Sequence, residues 1–109
     1  NNIGLVYDHM GEYSQALSYF NKALGILKTT LPANHPLLAT SYNNIGGVHD
    51  SMGECSQALS FYNKALSILK TTLPANHPDV ATSYNNIGAT YYDLKQYSTA
   101  LPYFQKALD

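Results

Sequence analysis

The chain has 109 residues with six lysines, no arginine and seven acidic residues, so its formal net charge is −1 and it offers no basic field for nucleic acid or an anionic membrane surface. Its length suits one domain of ordinary size. The single cysteine cannot pair within the chain, and no signal peptide or long apolar run marks export or membrane insertion, so we expect a cytoplasmic protein.

The sequence repeats itself with a period of 42 residues. Residues 1–42 and 43–84 are identical at 33 positions, and residues 85–109 continue the pattern more loosely. Such a period is typical of a solenoid, in which each unit buries its apolar face by stacking on its neighbours. We predict a single array over residues 1–109, cut from a longer protein. It has a truncated first repeat (1–35), a second repeat (36–77) and a truncated third repeat (78–109).

The first helix of a repeat is expected to run from about Pro36 to Met52. Pro36 closes the segment LPANHP and suits a helix start, and Gly53 then supplies a break. At 100° per residue, one side of this helix is mostly apolar. The opposite side is polar and small, and it carries Thr40, Asn43, Asn44, Gly47, Asp50 and Ser51.

The second helix is expected from about Cys55 to Thr72, where another LPANHP segment stops it. Its apolar residues form a broad stripe that must pack between hairpins. The sequence therefore predicts an all-α fold, a right-handed α-solenoid of stacked antiparallel helical hairpins.

The histidines and the cysteine predict structural roles. His35 and His77 recur in the LPANHP segments, where they are expected to cap helix starts. His49 replaces a tyrosine at a core position, which predicts a packed and hydrogen-bonded imidazole. Cys55 is a lone thiol without a paired base and is expected to pack. No phosphate loop, CxxC pair or nucleophile motif is present, so we expect no metal site, no cofactor and no enzymatic activity.

These repeats resemble the tetratricopeptide repeat. The third unit matches its pattern of aromatic, Gly, Tyr, Ala, Phe and Ala with Tyr84, Ile87, Gly88, Tyr91, Ala100, Phe104 and Ala107. The period of 42 and the segment HPDVATSYNNIGATYY at 77–92 narrow the resemblance to the kinesin-light-chain type. HEAT and armadillo repeats have similar periods, but their small and aromatic residues are placed differently.

The recurring asparagine pair predicts a groove. An asparagine inside a helix costs up to about 0.7 kcal/mol relative to alanine, so its recurrence needs an offsetting role. A right-handed stack of hairpins lines its concave surface with the first helix of each repeat. The resemblance implies that a row of asparagines on this concave surface binds peptide. The carboxamides can also read a peptide backbone. The candidate groove residues are Asn1, Asn2, Leu5, Asp8, His9, Thr40, Asn43, Asn44, Gly47, Asp50, Ser51, Thr82, Asn85, Asn86, Ala89, Tyr92 and Asp93.

Two interpretations of the asparagines stay open, because they can bind ligand or bridge neighbouring helices. The first predicts an adaptor or scaffold that holds an extended protein or peptide segment, neutral or weakly basic, since aspartates and no lysines face the groove. The carboxylate-clamp branch of the repeat family needs basic groove residues to hold an acidic C-terminus, so this chain is expected to lack that activity. The second predicts an architectural spacer or a regulatory array in a larger signalling protein. Either would expose apolar stacking surfaces at both ends, which predicts end-to-end self-association.

Overall fold

The computed structural model describes residues 11–74 and 76–108, and within these ranges it contains only helices as regular structure. The helices are α1 (Tyr13–Thr30), α2 (Pro36–Ser51), α3 (Cys55–Thr72), α4 (Pro78–Asp93) and α5 (Tyr97–Leu108). Each packs mainly on its neighbours in the sequence, so the chain is a stack of helical hairpins. The all-α solenoid prediction is confirmed. The second helix of the repeat, α3, has the predicted bounds of Cys55 and Thr72. The first helix of the repeat, α2, ends at Ser51, one residue earlier than predicted.

The two LPANHP segments start α2 and α4. Nδ1 of His35 accepts a hydrogen bond from the backbone N–H of Leu37 at 3.1 Å, and Nδ1 of His77 accepts one from Asp79 at 3.0 Å. Each bond satisfies one of the free N–H groups of a helix start, and the following proline needs none. The capping role predicted for both histidines is confirmed.

The turns that precede α1, α3 and α5 each contain a residue in the left-handed conformation. Gly11 and Gly53 have φ of 78° and 79°, and Lys95 occupies the same repeat position with φ of 63°. Glycine adopts this conformation without a steric penalty, whereas a side chain is strained there. The turn between α4 and α5, which contains Lys95, is therefore more strained than the turn between α2 and α3, which contains Gly53.

The core lies between successive helices, as stacking requires. One cluster joins α1 and α2 through Ala16, Phe20, Leu24, Leu38, Ile45 and Val48. A second cluster joins α3 to both α2 and α4 through Ala39, Ala58, Tyr62, Ala65, Leu66, Leu69, Val80 and Ile87. Burial of these side chains between units supplies the main stabilising term.

Two helical glycines allow the helices of a hairpin to approach closely. A Cβ at Gly46 would lie 2.9 Å from the ring of Tyr62, and a Cβ at Gly88 would lie 3.0 Å from Cε1 of Phe104. Nothing larger than hydrogen fits at either position without displacing an aromatic ring. Gly46 therefore sets how near Tyr62 comes to α2.

His49 and Cys55 stand at the end of the α2–α3 hairpin. Nδ1 of His49 lies 2.7 Å from Oε1 of Glu54, and its ring stacks on Phe61 with centroids 5.4 Å apart. The predicted packed and hydrogen-bonded imidazole is confirmed. Cys55 is half-buried with its Sγ 3.9 Å from Oδ1 of Asp50, and burial raises the pKa of this thiol. A raised pKa disfavours the nucleophilic thiolate, in agreement with a packing role.

Candidate functional site

A polar cleft of about 390 Å³ lies between α2 and α4. It is lined by Thr40, Asn43, Asn44 and Gly47 of α2, by Tyr62 and Leu69 of α3, and by Asp79, Thr82 and Asn86 of α4. The two first-position helices thus form its walls, and α3 forms its floor. Predicted groove residues from both repeats meet here.

The asparagines of the cleft carry an unused acceptor. Asn43, Asn44 and Asn86 are half-buried. Oδ1 of Asn43 is buried and has no hydrogen-bond partner. Leaving such a group unpaired costs about 1–3 kcal/mol. In the part of the chain that the structure describes, no side-chain hydrogen bond joins an asparagine of α2 to one of α4. This oxygen is therefore an unsatisfied acceptor that lies beneath the surface of the cleft wall.

Several predicted groove residues lie elsewhere. Asn85, Ala89 and Ser51 are exposed and do not line the cleft. Tyr92 lines a separate apolar cleft of about 400 Å³ at the end of the stack, beside Tyr97 and Leu101. The predicted positions Asn1, Asn2, Leu5, Asp8 and His9 lie outside the described residues.

Three lining residues were not among the predicted groove positions. Tyr62 and Leu69 are only 5% and 3% exposed, and their place in the apolar stripe of α3 marked them as core. Asp79 precedes Asn86 by seven residues, which is two helical turns, so the two residues share one side of α4. That spacing was the available sequence signal for Asp79.

Two carboxylates meet where α2 and α4 end. The Asp93 carboxyl lies close enough to hydrogen-bond the side chain of Asp50. Burial and the charge of Asp93 raise the pKa of Asp50, and the hydrogen bond from Cys55 opposes this shift. Both aspartates are in the last turn of their helices, where the helix dipole also disfavours negative charge. The ends of α2 and α4 thus carry two neighbouring carboxylates, but neither Asp50 nor Asp93 lines the cleft, although both were predicted groove positions.

The described residues contain neither a metal-binding cluster nor a membrane-spanning helix. Among residues 11–74 and 76–108, no three His, Cys, Asp or Glu side chains are grouped so that they could hold a metal ion. No helix in the same residues is both long and apolar enough to cross a membrane.

Stacked helical hairpins with a cleft between their first helices define a helical-repeat solenoid. A family model described as tetratricopeptide repeat matches residues 1–71, and a second model with the same description matches residues 81–109. The chain belongs to the tetratricopeptide repeat family, which is generally a non-catalytic fold for protein interaction.

Solved structures agree with this assignment. A putative kinesin light chain from Podosopora anserina, with nearly identical TPR-like repeats, superposes with a TM-score of 0.87 at 19% identity. The match covers 97% of this chain and 50% of that one. BtubC (BKLC) from P. vanneervenii gives 0.88 at 24% identity, over 97% of this chain and 42% of that one. The apo form of RapI gives 0.77 at 28% identity, over 93% and 27%.

The chain therefore spans half or less of the length of these three structures, and its solenoid has the same fold as the repeats of the putative kinesin light chain. A comparison with curated proteins finds no match.

Proposed function

We propose that the chain is a protein-interaction module that holds an extended peptide segment of a partner in the cleft between α2 and α4, in an adaptor or scaffold role. The observation that supports this most is that asparagines of two successive repeats, Asn43 and Asn44 of α2 and Asn86 of α4, line one polar cleft. A side-chain carboxamide both donates and accepts hydrogen bonds, so asparagines that line a cleft can pair with the N–H and C=O groups of a peptide backbone.

The dimensions of the cleft suit a peptide strand. The residues of α4 that line the cleft run from Asp79 to Asn86, a distance of about 10 Å at about 1.5 Å per residue. An extended peptide advances about 3.3 Å per residue, so this wall accommodates about three residues. An open, polar trough of this length favours backbone recognition of an extended segment over capture of a compact ligand.

The test uses two neighbouring asparagines of α4. Asn86 lines the cleft, whereas Asn85 is exposed and does not. Asn86→Ala and Asn85→Ala change the helix propensity of α4 equally. A difference between their peptide affinities therefore reports the contribution of the cleft-lining side chain. A peptide selected from a randomised nonapeptide library is titrated by fluorescence polarisation. We expect Asn86→Ala to weaken binding about 5-fold to 10-fold, the value of about one hydrogen bond, and Asn85→Ala to leave it unchanged.

Two results would overturn the proposal. If both variants bind the selected peptide as tightly as the parent chain, the peptide does not use the cleft. If the library yields no binding peptide at all, the alternative of an architectural spacer or regulatory array is favoured.

A further inference from the structure

Two adjacent glycines of α2 have different surroundings. A Cβ at Gly46 would lie 2.9 Å from the ring of Tyr62, so packing requires a glycine there. A Cβ at Gly47 would contact only the Tyr62 hydroxyl among the described residues, at an ordinary distance of 3.6 Å. Glycine is the least favourable residue in a helix interior after proline. Gly47 therefore weakens α2, and the packing of the described residues does not require it.

Gly47 lies in the wall of the cleft. It lines the cleft beside Asn43 and Asn44, while Tyr62 and Leu69 form the floor. The first repeat has a leucine at this position, Leu5, and the third repeat has an alanine. Glycine at position 47 thus leaves open a space in the cleft that a side chain of α2 would otherwise occupy. We call this space the recess, bounded by Gly47, Tyr62 and Leu69.

The first two repeats differ more in the cleft than elsewhere. Nine of the 42 positions differ between residues 1–42 and 43–84. Seven cleft-lining residues belong to 43–84, and three of these seven are at differing positions. In each case the second repeat has the smaller or more polar residue, with Gly47 for Leu5, Tyr62 for Phe20 and Asp79 for Leu37. These three differences together make the cleft between α2 and α4 wider and its edge more polar.

The recess suits an apolar side chain. Its floor residues, Tyr62 and Leu69, belong to the apolar core between α3 and α4. Among the described lining residues, only Asp79 carries a charge at neutral pH, and its side chain is 64% exposed at the solvent edge. A charged side chain that entered the recess would lose its hydration, whereas an apolar one would gain by leaving water.

We propose that Gly47 determines specificity, because the recess that it opens selects a bulky apolar side chain, such as leucine, in the middle of the bound peptide segment. This inference rests on the proposed function. Successive side chains of an extended peptide point to opposite sides. Of the roughly three residues that the wall accommodates, the middle one therefore inserts its side chain into the recess. The cleft asparagines pair with the peptide backbone on either side of it.

The test compares two acetylated, fluorescein-labelled nonapeptide pools, one with leucine and one with alanine at position 5. The other positions are randomised among Gly, Ala, Ser, Thr, Asn and Gln, so that leucine is the only bulky residue and sets the register. In fluorescence polarisation, we expect the Leu pool to bind the parent chain about 5-fold more tightly than the Ala pool, because more apolar surface leaves water.

The outcomes separate this inference from the proposed function. Equal binding of the two pools would overturn the inference and leave the proposed function standing. The same conclusion would follow if neither pool bound while a peptide selected from the fully randomised nonapeptide library did. If that library also yielded no binding peptide, both the inference and the proposed function would be overturned.

Matched variants locate the effect at Gly47. Gly47→Leu introduces the residue of the first repeat, and Gly25→Leu adds the same side chain on α1, away from the cleft and where a Cβ meets nothing within 4 Å. Gly47→Leu should weaken binding of the Leu pool about 5-fold and change that of the Ala pool by less than about 2-fold, because leucine fills the recess. Gly25→Leu should affect neither pool.

A smaller change keeps the test decisive if Gly47→Leu does not fold. Gly47→Ala adds one methyl group to the wall and should weaken binding of the Leu pool about 2-fold. Unchanged binding of the Leu pool in the Gly47 variants would overturn the assignment of the recess. Equal losses for the two pools, or an equal loss in Gly25→Leu, would overturn it as well.

Discussion

Adjacent glycines in α2 should respond in opposite ways to the same substitution. A Cβ at Gly46 would lie 2.9 Å from Cδ1 and Cε1 of Tyr62 and 3.2 Å from the carbonyl oxygen of Ala58. Both neighbours are buried, so neither can easily move aside. A Cβ at Gly47 would meet only the Tyr62 hydroxyl, at an ordinary contact distance of 3.6 Å.

The magnitudes follow from two opposing terms. Alanine is favoured over glycine in a helix interior by about 1 kcal/mol, whereas overpacking a core costs about 1–3 kcal/mol. Because both clashing neighbours are buried, the overpacking cost at Gly46 falls in the upper part of its range and exceeds the helix gain. We therefore expect Gly46→Ala to lower the free energy of unfolding by about 1–2 kcal/mol. Gly47→Ala has no such clash and should raise the free energy of unfolding by about 0.5–1 kcal/mol.

Urea denaturation followed by circular dichroism at 222 nm measures both variants against the parent chain. Gly25→Ala is a second control, since a Cβ there meets nothing within 4 Å and should also stabilise. The packing of Tyr62 against α2 would be refuted if Gly46→Ala were as stable as the parent chain. A loss in Gly47→Ala equal to that in Gly46→Ala would refute it as well.

Three further predictions concern single residues. The pKa of Asp50 is raised from its ordinary 3.8, so the stability that its protonated form contributes is lost as pH rises through the raised value. Asp50→Asn should therefore raise the free energy of unfolding by about 0.5 kcal/mol at pH 7 and leave it unchanged at pH 3. A difference in urea denaturation that does not depend on pH would contradict this. Lys95→Gly should raise the free energy of unfolding by about 1 kcal/mol by relieving its left-handed strain, and unchanged thermal denaturation would contradict this. Leu101 is 56% exposed and lines the apolar cleft at the end of the stack, so copies of the chain should associate end to end. The sedimentation coefficient should rise with concentration for the parent chain and not for Leu101→Glu. A parent chain that stays monomeric at all concentrations would contradict this.

The repeat allowed the helices to be placed from the sequence. Pro36 and Gly53 mark the ends of α2 because proline suits a helix start and glycine a left-handed turn, and both effects are local. The apolar spacing in α3 correctly indicated that Tyr62 and Leu69 are buried. The sequence could not predict that Tyr62 and Leu69 also form the floor of the cleft, because this depends on the distance between α2 and α4.

The candidate site was only partly predictable for a similar reason. Asn43 and Asn85 hold the same repeat position, yet Asn43 is half-buried beside α4 and Asn85 is exposed, with no further described helix beside it. A wheel of a single helix cannot distinguish the two. Asp79 was missed because leucine stands at that position in the preceding repeat, so the pattern gave no recurring polar signal.

The most direct measurement of peptide binding in the cleft uses the side-chain amides themselves. In ¹⁵N–¹H NMR spectra, the carboxamide signals of Asn43 and Asn86, which line the cleft, should shift in a saturable way when the peptide selected from the nonapeptide library is titrated, and those of the exposed Asn63 on α3 should not. A peptide that binds while the Asn43 and Asn86 signals stay fixed would show that recognition occurs on another surface and would contradict the proposed function.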